Sequence, residues 1–278
     1  MLVSAYMLPH GTDMIPGVKE PYPEGFRPVH LAMEQAGRTL AAENPDLVIM
    51  LVPHGYTLPE QHVVYLHERY LGLLYDAANP DTFGALHMAD IWPGDRAAAE
   101  QVLAAMQARR IPATGLIQGG PAFALTLTWS ETVPLHYLMK ECKPRIVLIS
   151  LPRTRYDKLM AMQPDLAALG DVLYEFAAAQ EQRVSIVMSA DMAHTHDACG
   201  PYGFHESAAK LDYHVDYWIR SPRRERLNQM LALQPTGLAC GMAGMCVLQV
   251  ILERAHLQSR EHTYAAPTYF GLMVAHWA

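Results

Sequence analysis

Two stretches of this sequence end in the same way. Residues 2–8 run into Pro9-His10-Gly11, and residues 47–52 run into Pro53-His54-Gly55. Each is a short apolar segment that stops at a proline, presents one histidine and turns at a glycine. Proline ends a strand ladder because it has no N–H to donate, and glycine turns without the steric cost of a Cβ. A single histidine at a strand end is best explained as a cap bonded to a neighbouring loop. Two copies of one arrangement favour a different reading, because two rigidly placed neutral imidazoles are a good start for a divalent-metal site.

Three more stretches carry residues of the right chemistry. Ser189-Ala-Asp191-Met-Ala-His194 directly follows the apolar run 184–188. Histidine titrates near neutrality, so His194 beside a metal can shuttle protons, with Asp191 orienting a ring or accepting from a loop amide. A helix N-terminus capped by Asp191 is the open alternative. Gly200-Pro-Tyr202-Gly-Phe204-His205-Glu206 suits a tight loop whose aromatics wall a pocket for a flat substrate, or a loop with no ligand at all. In Thr236-Gly-Leu-Ala-Cys240-Gly-Met-Ala-Gly244, small residues surround one cysteine. Its thiolate is a ligand for zinc, copper or iron, and a buried structural thiol is the plainer reading.

These segments need a frame. Apolar runs at 2–8, 46–52, 112–117, 145–151 and 184–189 read as strands, with a last one at 268–274. Helical spacing of apolar residues marks 28–42, 95–109, 166–180 and 207–219, and two further helices at 221–233 and 238–256. Alternating strands and helices predict an α/β fold: a central, largely parallel or mixed sheet flanked by helices on both faces. The strand-end histidines would then share the crevice beyond the carboxyl ends of the strands. Pro/Gly-rich joints such as 16–23, 119–121 and 200–203 are too short for interdomain linkers, so residues 1–278 read as a single domain.

With 51% apolar residues the chain can bury a sheet. A net charge of -7 argues against a nucleic-acid partner and against an anionic membrane surface. No run is long enough to span a bilayer. Four cysteines without paired spacing fit reduced thiols, and so a cytoplasmic location.

Together, the two Pro-His-Gly turns, the stretch Trp129-Ser to Pro134-Leu135, the Ser-Ala-Asp-Met-Ala-His strand end and the Gly-Pro-Tyr-Gly-Phe-His loop resemble the class III extradiol ring-cleavage dioxygenases. The likeness is to their catalytic, protocatechuate 4,5-dioxygenase beta-subunit-like form, with features of the related MEMO-like proteins, and it spans almost the whole chain. The resemblance implies that His10 and His54 bind Fe(II), that His194 is the acid/base, and that a catechol-type aromatic and dioxygen are the substrates. The third ligand of the dioxygenases is a glutamate. Its place falls at or near Cys240, as in the MEMO-like branch, which also has an aspartate where Asp191 stands. A soft thiolate shifts the preference toward Zn or Cu. Glu206 and Asp13 are the alternative carboxylate ligands.

Trp129 occupies a position where many relatives carry a substrate-assisting histidine, and His136 lies close by in sequence. Trp129, His136, Tyr202, Phe204 and His205 are therefore the candidate substrate contacts. Relatives form homo-oligomers or associate with a small second subunit. The alternative to ring cleavage is a MEMO-like non-haem metal-binding or redox protein; a zinc hydrolase with His194 as base is a third reading.

Overall fold

The computed structural model describes residues 1–18, 24–75 and 86–278. Part of the joint expected at 16–23 lies outside the described residues. The five internal apolar runs all form strands: β1 (Leu2–Leu8), β2 (Leu47–Val52), β6 (Ala113–Leu116), β8 (Arg145–Ser150) and β9 (Val184–Ser189). Joining them are β3 (His62–Tyr65), β4 (Arg69–Tyr75), β5 (Leu86–Pro93), β7 (Ala124–Thr126), β10 (Ser259–Ala265) and β11 (Leu272–Trp277). The helices are α1 (Arg27–Glu43), α2 (Arg96–Ala108), α3 (Trp129–Leu138) and α4 (Leu159–Ala179), followed by α5 (Ser207–Arg220), α6 (Arg224–Gly237) and α7 (Met242–Ala255).

An eight-stranded mixed sheet runs β10-β11-β1-β9-β2-β8-β3-β6, and a smaller one runs β5-β4-β7. The expected α/β architecture is thus present. The central block β1-β9-β2-β8 is wholly parallel, and β11 and β3 join its two sides antiparallel. Side chains alternate between two cores, as the pleat requires. Ala5, Met7, Leu47, Ile49, Val147 and Ile186 face the core under α2 and α4 to α7. Tyr6, Leu8, Val48, Met50, Leu148 and Val187 face the one under α1 and α3. Every side chain of β2 and β9 is buried, each large one contributing about 1.5–3 kcal/mol, which is why these runs show no polar alternation. Most of α7 is buried inside this chain, so its apolar surface is core rather than interface.

Three departures from the sequence reading have physical causes. Helix α3 has no amphipathic period because nearly all its side chains are buried, and it contains Pro134. Its start is nonetheless encoded: Thr128 and Glu131 form a reciprocal capping box. Helix α4 begins at Leu159, ahead of Pro164, so burial of its apolar face outweighs the one ladder hydrogen bond that the proline gives up. The last strand lies at 272–277 rather than 268–274, because residues 268–271 turn toward the site described next.

Candidate active site

Strand order decides which loops meet. β9 lies between β1 and β2, with Leu8 opposite Ser189 and Leu51 opposite Met188. The turns bearing His10 and His54 therefore emerge on either side of the segment bearing Asp191 and His194. That segment is not a helix start: Asp191 forms a bridge to Leu272, and the next helix begins only at Ser207. Cys240 arrives from the turn between α6 and α7, and its thiol accepts the Asp191 N–H at 3.2 Å.

One ligand-type atom from each of His10, His54 and Cys240 lies within 4.8 Å of the other two. Asp191, His194 and Cys240 make a second such group sharing the thiol. His10 is buried, at 2% exposure, and His54 is half-buried. The rings approach edge to face at 5.1 Å between centroids. His10 Nε2 lies 3.6 Å from Cys240 Sγ and 3.3 Å from an Asp191 oxygen, while the other Asp191 oxygen accepts the His10 backbone N–H at 2.9 Å.

Burial governs the charges. It pushes the His10 and His54 imidazoles down to about 3, helped by the neighbouring histidines and Arg155, so both rings are neutral donors at physiological pH. Burial, then the Asp191 charge, pushes the Cys240 thiol up. The Asp191 carboxyl is raised to about 6 by burial, against the pull of His194 and of two backbone N–H groups. Two neutral imidazoles and a thiol in one buried cluster fit a divalent metal: a cation placed there would displace the thiol proton and relieve the cost of burying its charge.

His10, His54, Asp191 and His194 line a cleft of about 480 Å³, together with Thr12, Asp13, Trp129, Tyr202, Tyr269 and Phe270. Trp129 stacks on His54 at 5.7 Å. Phe270 stacks on His194 at 5.8 Å, and Tyr202 meets the His194 ring edge-on. Buried His194 Nδ1 has no hydrogen-bond partner among the described residues. Asp13 lies on the cleft wall, outside both ligand-type groups. Glu206 is exposed at the start of α5, paired with Lys210. Phe204 and His205 are exposed beyond the cleft, and His136 lies 3.8 Å from Asp90, also away from it.

Several site residues went unread in the sequence. Tyr269 and Phe270 wall the cleft, and the pair just before the last strand was the available signal. Tyr156 stacks on His54 and its hydroxyl sits 3.1 Å from His54 Nδ1. Arg155, only 4% exposed, lies over the Tyr156 ring, bonds its hydroxyl at 2.7 Å and reaches the Pro53 carbonyl, bracing the second turn from below. Ser189 and Ser130 lie behind His10. Nothing in residue type singles these out from other polar residues.

The two glycines serve another purpose than turning. Neither Gly11 nor Gly55 has a positive φ. A Cβ at Gly55 would collide with the Tyr65 hydroxyl and the Glu131 carboxylate, and one at Gly11 would lie 2.9 Å from the Phe270 ring. Close approach, not backbone freedom, requires glycine here.

Comparison with known proteins agrees with this architecture. The chain is similar over 99% of its length to 99% of an uncharacterized protein from Escherichia coli K12 of known crystal structure, with a TM-score of 0.56 and 15% identity, which is a likeness of fold. No curated protein matches the sequence. Residues 4–275 match the model of the catalytic LigB subunit of aromatic ring-opening dioxygenases, and the chain belongs to that family.

Proposed function

We propose that this protein is a metal-dependent extradiol dioxygenase that opens the ring of a catechol-type aromatic, with residues 1–278 acting as one catalytic domain. The observation that carries this reading is the meeting of His10, His54 and Cys240 ligand-type atoms within 4.8 Å, with both histidines lining an aromatic-walled cleft. These three residues would hold the metal, Fe(II) for ring cleavage. When bound, the metal supplies a template for two adjacent hydroxyls and, as iron, an electron path between substrate and dioxygen.

The chain's own residues do the rest. His194 lies beside the cluster, its Nδ1 without a partner among the described residues, and takes a proton from a substrate hydroxyl and later returns it. Phe270 and Tyr202 set the plane of its ring by stacking and edge contact. Trp129, Tyr202 and Tyr269 wall the ring-binding space. Asp191 ties the first turn to the His194 segment by accepting the His10 N–H.

Anaerobic reconstitution with Fe(II), followed by oxygen uptake with protocatechuate and simple catechols, tests the proposal. Uptake with a yellow ring-opened product is expected, and His194→Ala should keep the metal yet lose about 10²–10⁴ in turnover. A fully active His194→Ala enzyme would remove its acid/base role. Cys240 favours one second reading, a MEMO-like metal-binding or redox role, because a thiolate prefers copper or zinc. Copper or zinc at one per chain, with no oxygen uptake after iron loading, would establish that reading instead.

A further inference from the structure

His10 and His54 present the same residue type to the cluster, but only one of them has its proton position dictated by its surroundings. His10 Nδ1 lies 2.7 Å from Ser189 Oγ. Ser189 is the final residue of β9 and is 1% exposed, so no solvent competes for its hydroxyl. The same Oγ lies 2.6 Å from the backbone carbonyl of Ser130. A carbonyl oxygen only accepts, and two oxygens that close repel unless a proton lies between them. The one Ser189 hydroxyl proton is therefore committed to Ser130. The Ser130 hydroxyl, 3.2 Å from Ser189 Oγ, can donate to it and adds nothing that His10 could accept.

We infer that Ser189 is a positioning residue: held by the Ser130 carbonyl, it accepts from His10 Nδ1–H at 2.7 Å, a shorter contact than the 3.3 Å approach of Asp191 Oδ2 to Nε2, and so locks His10 in the tautomer whose Nε2 lone pair faces Cys240. This rests on the proposed metal reading for its consequence, though not for its geometry. A first-turn imidazole preset in this way needs no proton rearrangement to become a ligand, and partners of this kind orient metal-binding histidines. His54 differs. Its Nδ1 faces the Tyr156 hydroxyl, which already accepts from Arg155 and keeps a free proton, so that hydroxyl can either donate to the ring or accept from it. The β9 strand end thus contributes to the site through Ser189 as well as through the residues after it. Helix α3 supplies the carbonyl that fixes the direction.

The test is nitrogen NMR of metal-free protein carrying labelled histidine, with the His10 signals identified by their loss in His10→Asn. Wild type should show His10 protonated at Nδ1 and bare at Nε2. Ser189→Ala should shift His10 toward the Nε2–H form and weaken Co(II), measured against a competing chelator, by about 10–100-fold. Ser189→Thr, which keeps the hydroxyl, should restore both. Wild-type His10 protonated at Nε2 overturns the inference outright, whatever the variants do. So does a Ser189→Ala protein with unchanged tautomer and unchanged Co(II) affinity. A wild type that shows the Nδ1–H form but takes up no metal would defeat the metal reading and leave the Ser189 assignment standing.

Discussion

At the end of β1, His10 is almost wholly buried, with Ser189 behind its ring and Asp191 on its backbone N–H. At the end of β2, His54 lies half-open between Trp129 and Tyr156, and its ring is held by stacking and by one hydroxyl. The first turn leans on the β9 strand end. The second leans on a buried cation, Arg155, whose hydrogen bonds among the described residues go to three carbonyls and the Tyr156 hydroxyl and to no carboxylate. One tripeptide has been placed in a rigid setting and in an adjustable one. The contrast shows that a motif names a donor, while its environment decides how firmly that donor is aimed.

The largest test of this contrast is removal of each donor. His10→Ala and His54→Ala should both abolish metal uptake, measured as metal per chain, with melting temperatures near wild type. Full stoichiometry in either variant would detach that turn from the site.

A second test uses pH. Both imidazoles are neutral far above their depressed values of about 3, and Asp191 is ionised above about 6. Between pH 6.5 and 8.5 the raised Cys240 thiol is then the group that must release a proton when metal binds. Metal affinity should therefore rise about tenfold per pH unit in that window, and a flat profile would exclude the thiol as a ligand.

The glycines separate the turns by stability. Gly55→Ala should cost about 1–3 kcal/mol in urea unfolding, because its neighbours are a buried hydroxyl and a buried carboxylate. Gly11→Ala meets only a ring edge and should cost less. The reverse order would mean that the first turn is the tighter of the two. The smallest effect is expected from Tyr156→Phe. It keeps the stacking on His54 and loses one adjustable hydrogen bond, so Co(II) affinity should fall by less than in Ser189→Ala. An equal or larger fall would show that His54 is held as firmly as His10.

Much of this molecule was legible in one dimension. The apolar runs that became β1, β2, β8 and β9 are buried on both faces, so their composition alone marks them as strands. Prolines 9 and 53 end two of them, and local chain chemistry suffices to say so. The candidate ligands His10, His54 and Cys240 stand out by residue type and by the small residues around them. Helix α3 did not stand out, because a helix buried nearly all round carries no period and its proline argues the other way.

What the sequence could not decide is adjacency. Placing β9 between β1 and β2 joins residue 10 to residue 189, and setting the start of α3 against the end of β2 joins residue 54 to residue 128. It also brings Cys240 to His10, 230 positions away. The tautomer of His10, the role of Gly11 and Gly55 as points of close approach, and the bracing by Arg155 all depend on groups far apart in the chain. Residue types set which bonds can form; sheet order and packing set which of them do.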